Sequence, residues 1–435
     1  MMRLIFSSIF LLGSTAWNGT TSADGGVLHY TDRSAQLGLD ISPMGTDSIG
    51  IGVVDIDNDG DMDIFVAEGT ASLNGRQNRL LLNDGRANFS DASLTHLPQV
   101  QNNSAGVAFA DMDGDGDMDA IVANLGAEQL LLNQGDGHMV DVSATNLPPS
   151  LDLMSDISAQ IVVHDVDGDG DPDIFVANEI PFPNPPVNGA QNRLWINDGS
   201  GHFRDETAQR LPAVIDQTAT AAFGDVNGDG MDDLIVANNG QNKILINTGE
   251  GHFVDETIQR LPALSDSSRD IALADIDGDG DLDLLFANSR EQQDRLYFND
   301  GQGNFTDVTR TNLPQSTVSS TSVAMYDADC DGDLDAIFTS LKSGQQHDLL
   351  GAQNRLLLNT GHGVFVEMST LMLPALDDVS FDVAVADFNG DGRKDIVVSN
   401  GAGGKETLLL AGGNKSRELV SLDTAWKKVL TPRCR

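Results

Sequence analysis

Seven times between Asp55 and Asp395 the chain repeats the nine-residue pattern Asp-x-Asp/Asn-x-Asp-Gly-x-x-Asp, an alternation of oxygen-bearing side chains around a glycine. The candidate ligands are Asp55, Asp57, Asp59 and Asp63; Asp111, Asp113, Asp115 and Asp119; Asp165, Asp167, Asp169 and Asp173; Asp225, Asn227, Asp229 and Asp233; Asp275, Asp277, Asp279 and Asp283; Asp327, Asp329, Asp331 and Asp335; and Asp387, Asn389, Asp391 and Asp395. Side chains at positions 1, 3 and 5 converge on one point only if the chain turns sharply, and the Gly at position 6 of every copy supplies the permissive backbone. Position 9 then closes the far side. Position 7 varies from Asp61 and Asp117 to Met231 and Arg393. A loop that offers a backbone carbonyl there is indifferent to the side chain, whereas a merely acidic patch is not. Several hard oxygens in a flexible loop suit Ca²⁺ better than Mg²⁺, which keeps its waters, or Zn²⁺, which takes Cys and His. The pattern therefore predicts about seven calcium ions per chain. An EF-hand would need Glu at position 12, where this chain has Val66, Val122, Val176, Val236, Phe286, Phe338 and Val398.

The elements that position these loops are strands. Each loop is followed by an apolar run such as Ile64-Phe-Val-Ala67 and preceded by alternating large and small residues such as Val107-Ala-Phe-Ala110, so the candidate metal sits in a strand-to-strand hairpin. Further on come a third strand (Arg79-Leu-Leu-Leu82, Arg193-Leu-Trp-Ile196), a glycine-rich turn, a fourth strand (Phe203-Arg-Asp205, Phe253-Val-Asp255) and a connector marked by Leu-Pro, as at Leu97-Pro98. Four antiparallel strands in each unit of 50 to 60 residues predict an all-β fold, a seven-bladed β-propeller of four-stranded blades closed by its N- and C-terminal strands. The seventh unit has a third strand at Leu408-Leu-Leu410 but no Phe-x-Asp strand, while Tyr30-Thr-Asp32 stands alone before the first loop. The N-terminus is thus expected to supply the outer strand of the last blade, with Glu418-Leu-Val420 as the alternative.

Residues 1–23 read as a signal peptide: Arg3, a short apolar run from Leu4 to Leu12, and cleavage after Ala16 or Ala23. Residues 24–413 form the propeller and 414–435 a basic tail. The apolar run is too short to span a bilayer, so the expectation is a secreted, extracellular or periplasmic protein without a membrane span. A formal charge of −41 excludes a nucleic-acid partner by repulsion, and seven calcium ions would reduce it to about −27. Clustered carboxylates without ions repel, so stability should depend on calcium. Cys330 and Cys434 are the only cysteines, and the sequence leaves open whether they pair.

The repeated Asp-x-Asp/Asn-x-Asp-Gly-x-x-Asp hairpins resemble those of FG-GAP/VCBS repeat proteins, with integrin-α-like seven-bladed propellers, over nearly all of residues 24–413. Gly-Ala-Pro is absent and Phe-Gly stands before a loop only at Phe223-Gly224, so the VCBS-type variant fits better than an integrin propeller. The resemblance implies the fold, the calcium, and partner binding on the face opposite the metal hairpins. On that face Glu68 to Gln77, Glu179 to Gln191 and Ser340 to Gln353 are long connections, whereas Asn124 to Gln129 and Asn238 to Gln241 are short.

No nucleophile, base and orienting group converge in the pattern, and His138, His202 and His252 recur at one place in the glycine-rich turn. The expected function is a protein-interaction or adhesion module for an extracellular or envelope protein, not an enzyme. A carbohydrate-binding propeller and an extracellular hydrolase or lyase are the alternatives.

Overall fold

The computed structural model describes residues 28–38, 47–69, 75–150, 157–179, 189–343, 349–401 and 404–412. The proposed signal peptide, Cys434 and the basic tail lie outside them. Seven antiparallel blades follow one another along the chain. Blade two is typical: Ser104–Ala110, Asp119–Asn124, Gln129–Asn133 and Met139–Asp141 are hydrogen-bonded in that order. The first strands of neighbouring blades pack against each other around the axis, and the short fourth strands form the rim. The second strands, such as Asp119–Asn124 and Asp173–Asn178, are buried along their whole length, which is why they read as continuous apolar runs.

The core lies between blades. Val54, Phe65 and Leu80 of blade one meet Phe109, Val122 and Met139 of blade two, and each later junction repeats the arrangement. Closure follows the expectation for the N-terminus: His29–Asp32 pairs antiparallel with Thr407–Gly412, Tyr30 opposite Ala411. The Tyr30 hydroxyl is 2.8 Å from that of Tyr326, which fastens the closing strand to blade six. Glu418-Leu-Val420 is outside the described residues.

Two features depart from the sequence reading. The Leu-Pro connector begins with a one-turn helix, as at Ser93–His96 and Thr207–Arg210. Asp91 causes it by accepting hydrogen bonds from the Ser93 amide and hydroxyl, while Ser93 Oγ accepts from the Leu80 amide. The connection from Ser340 to Gln353 is also partly strand, with Leu341 opposite Gly351 and Lys342 opposite Leu350.

Candidate metal centres

Each acidic loop is a hairpin between the first and second strands of a blade, and its own carboxylates hold its turn. In the second loop, Asp111 accepts from the Gly114 amide (2.8 Å) and the Gly116 amide (3.1 Å). Asp113 accepts from the Asp115 amide (3.2 Å) and Asp115 from the Asp117 amide (3.0 Å). The third and fifth loops repeat these bonds with small variations, and Asn227 and Asn389 take the place of Asp113 through their amide oxygens. Position 7 contributes only its backbone to this pattern, which accounts for its tolerance of Met231 and Arg393.

Position 4 is a further determinant that the sequence reading passed over. It is left-handed in all seven loops: Gly114 at 78°, but also Asn58 at 61° and Cys330 at 59°. Five of the seven copies have Gly there, and that is the signal that was available.

Position 9 has a second role beside that of a candidate ligand. The Asp119 carboxylate is fully buried; Oδ2 accepts from the Met112 amide and Oδ1 from the Asn133 amide, both at 2.8 Å. Asp63, Asp173, Asp283, Asp335 and Asp395 make the same two bonds, and Asp233 makes the second. Position 9 therefore pins the loop to the third strand. The Asn that ends that strand carries the link onward: Asn133 Nδ2 donates to Ile56 O in the preceding blade's loop at 2.7 Å, and Asn359 Nδ2 to Ile276 O at 2.9 Å. Six of the seven junctions carry this link; in blade seven Ala411 stands at the position of the Asn, so that blade makes no such bond back to the loop of blade six.

Carboxylate oxygens from three residues lie within 4.8 Å of one another in five loops: Asp55, Asp57 and Asp63; Asp111, Asp113 and Asp115; Asp165, Asp167 and Asp173; Asp275, Asp277 and Asp279; and Asp327, Asp329 and Asp335. In the fourth loop Asp225 and Asp229, and in the seventh Asp387 and Asp391, keep the same turn around an Asn. Burial pushes Asp63, Asp119, Asp283 and Asp395 up to about 7 and Asp173 up to about 8, with neighbouring loop carboxylates adding to the rise. The sixth loop is the most enclosed. Asp329 is 4% exposed, and neither of its carboxylate oxygens meets a hydrogen-bond donor; Asp57 Oδ1 and Asp167 Oδ1 are buried in the same condition. Anionic oxygens buried without a donor are costly unless a cation sits among them, and an all-oxygen set fits Ca²⁺.

The connector between blades also touches the loops. Arg210 Nη2 donates to Asp167 Oδ2 at 3.2 Å and reaches Glu250 O of the next blade, so the third loop has a fixed cation beside a candidate ligand. At the equivalent place His96 stacks on His138 with ring centroids 4.0 Å apart. The recurrence of histidine in the glycine-rich turn does not by itself reveal these contacts between blades.

Axial inner strands, acidic hairpins and blade-to-blade packing define a β-propeller built from acidic-loop repeats. The chain belongs to the FG-GAP repeat family: the FG-GAP-like repeat matches residues 55–122, 111–176, 165–236, 225–286, 275–338 and 346–398, and the FG-GAP repeat matches residues 381–416. A solved structure of an Agrocybe aegerita lectin, described as recognising non-reducing terminal N-acetylglucosamine, is 17% identical, with a TM-score of 0.42 over 89% of this chain and 94% of that one. No curated protein matches. Among the described residues no helix is long and apolar enough to cross a membrane.

Proposed function

We propose that this propeller is an exported, calcium-loaded module that binds an extracellular or envelope protein through the face opposite its acidic hairpins. The observation that carries the calcium part is the set of buried carboxylate oxygens without donors in the first, third and sixth loops, Asp329 above all. Calcium, when bound, neutralises the carboxylates at positions 1, 3 and 5. The chain's own part is to hold those side chains in one turn, to anchor each turn to the third strand through position 9, and, in blades one to six, to join neighbouring loops through the Asn that ends that strand. Such a disc is rigid enough to present loops of unequal length. Recognition is assigned to the long connections Glu68 to Gln77 and Glu179 to Gln191, of which residues 70–74 and 180–188 are outside the described set. Export rests on the charged and apolar start of the chain, and no catalytic role is assigned.

The test is capture of a partner from the extracellular or envelope fraction by immobilised protein, in calcium and in EDTA, with a second protein whose segment 179–191 is replaced by the short segment 238–241. Calcium-dependent capture that the replacement abolishes supports the proposal. Equal capture with and without calcium contradicts it, and binding to a glycan array without protein capture would transfer the site to carbohydrate.

A further inference from the structure

The seven inner strands enclose an axial channel of about 720 Å³. Every inner strand carries a β-bulge near its start, and the residue after the bulge occupies one level of the channel. On blades one to four these residues are Gly50, Gly106, Gln160 and Thr220; on blades five to seven they are Asp270, Ser322 and Asp382. Two carboxylates therefore face one another across a single hydroxyl, far from the acidic hairpins.

The hydrogen bonds around this trio do not balance if both carboxylates are ionised. Ser322 Oγ is 2.7 Å from Asp270 Oδ2 and 2.9 Å from Asp382 Oδ1. A hydroxyl has one proton to donate, so it satisfies one carboxylate and turns a lone pair toward the other. The remaining donors are backbone amides. Ile271 and Val323 donate to Asp270 at 2.8 and 2.9 Å, and Val383 and Ile51 donate to Asp382 at 2.8 and 3.0 Å. Among the described residues no cation contacts either group. Arg269, on the strand of Asp270, is held by Glu179 at 2.8 Å, and Asp266 on the same strand by Arg295 at 2.7 Å. The inner strands of blades four and seven and residues 48–54 of blade one add no other charged side chain, and that of blade six adds only the Tyr326 hydroxyl, which is bonded to Tyr30. The other charged residues lining the channel are Arg290 and, beside the acidic hairpins, Asp61, Asp387 and Lys394.

We propose that Asp270, Ser322 and Asp382 share one proton, and that this proton makes closure of the propeller ring pH-dependent. With a proton on Asp270, its O–H donates to Ser322 Oγ, the serine O–H donates to Asp382, and every oxygen has a partner. The chain of bonds runs from blade five through blades six and seven to the Ile51 amide of blade one, across the junction where the ring closes. Without the proton, one carboxylate must retreat from the lone pair of Ser322 and give up the Val323 or the Ile51 amide. Burial, with the charge of Asp382 beside it, pushes Asp270 up to about 7, and burial raises Asp382 as well.

The sign follows from linkage. The folded state keeps a proton that the unfolded chain releases at ordinary carboxylate values, so this contribution is complete below about pH 4, falls as pH rises above that, and is gone by about 7. Melting temperature is measured against pH in saturating calcium, which holds the hairpin carboxylates ionised, for the wild type and for Asp382→Asn. The wild type is expected to lose melting temperature as pH rises from about 4 to about 7 and to level off above that, and the variant to lose that dependence. Equal slopes in the two proteins overturn the proposal. Hydrogen exchange of the Ile51 and Val323 amides in the wild type tests it without any variant. Release of one proton on opening predicts about a tenfold loss of protection per pH unit from the ordinary carboxylate range up to the midpoint, levelling off above it, after correction for intrinsic exchange. Protection of both amides that stays constant between about pH 4 and 7 also overturns it.

Discussion

Three single substitutions in the second loop separate the buried anchoring carboxylate from the exposed carboxylates of the same turn. Asp119→Ala removes two charge-assisted hydrogen bonds, to the Met112 and Asn133 amides, from a fully buried site. Bonds to charged groups contribute about 1.5–3 kcal/mol each, and buried donors left without acceptors add to the loss. The expected cost is therefore roughly 3–6 kcal/mol, and most of it should remain in EDTA, because both partners are backbone. Asp115→Ala removes one exposed bond, to the Asp117 amide, and should cost about 1 kcal/mol or less without calcium. In calcium it should lose the linkage term as well, about 2.7 kcal/mol at a hundredfold excess over the dissociation constant. Asp117→Ala removes a side chain that accepts only an exposed bond from Asn58 Nδ2, and should stay within about 0.5 kcal/mol in either condition. Urea unfolding of the three variants in calcium and in EDTA reads all six values. The reasoning is refuted if Asp119→Ala behaves like Asp117→Ala, or if Asp115→Ala costs the same with and without calcium.

Other outcomes follow from the same geometry. Without metal, Asp63, Asp119, Asp173, Asp283 and Asp395 titrate in the fold at about 7 to 8, above their unfolded values, so in EDTA their contribution to stability falls as pH rises from about 4 toward 8. Calcium displaces those protons, so the gap in melting temperature between calcium and EDTA should widen from pH 5 to pH 8; a gap independent of pH would contradict this. Tyr30→Phe removes the buried bond to Tyr326 and should cost about 1 kcal/mol, with earlier proteolysis of the closing strand. Unchanged unfolding and proteolysis would mean that the N-terminal strand does not limit opening of the ring.

Much of the fold was legible because each unit repeats its signals. The Asp-x-Asp-Gly hairpins, the fully apolar second strands and the orphan Tyr30-Thr-Asp32 segment together define blades and their closure. What escaped were contacts between units. In five blades a Gln two residues before the third strand donates to the carbonyl of the Pro in its own Leu-Pro connector, as Gln241 does to Pro262 at 3.2 Å and Gln353 to Pro374 at 2.9 Å. The sequence displays both residues, but a bond across 21 positions has no local period to reveal it. The division of labour within the acidic loop escaped for a similar reason. Asp119 and Asp115 are the same residue type in the same motif, and only burial against the third strand makes one an anchor. Arg210 beside Asp167 and the channel trio of Asp270, Ser322 and Asp382 depend on neighbouring blades, where single-unit patterns say nothing.

The central claim is that the acidic hairpins hold calcium, and equilibrium dialysis of the purified protein against labelled Ca²⁺ tests it most directly. About seven ions per chain are predicted, falling by one in the variant carrying both Asp327→Ala and Asp329→Ala in the sixth loop. A protein that remains folded and retains no calcium, or one whose stoichiometry is unchanged by that variant, would contradict the account.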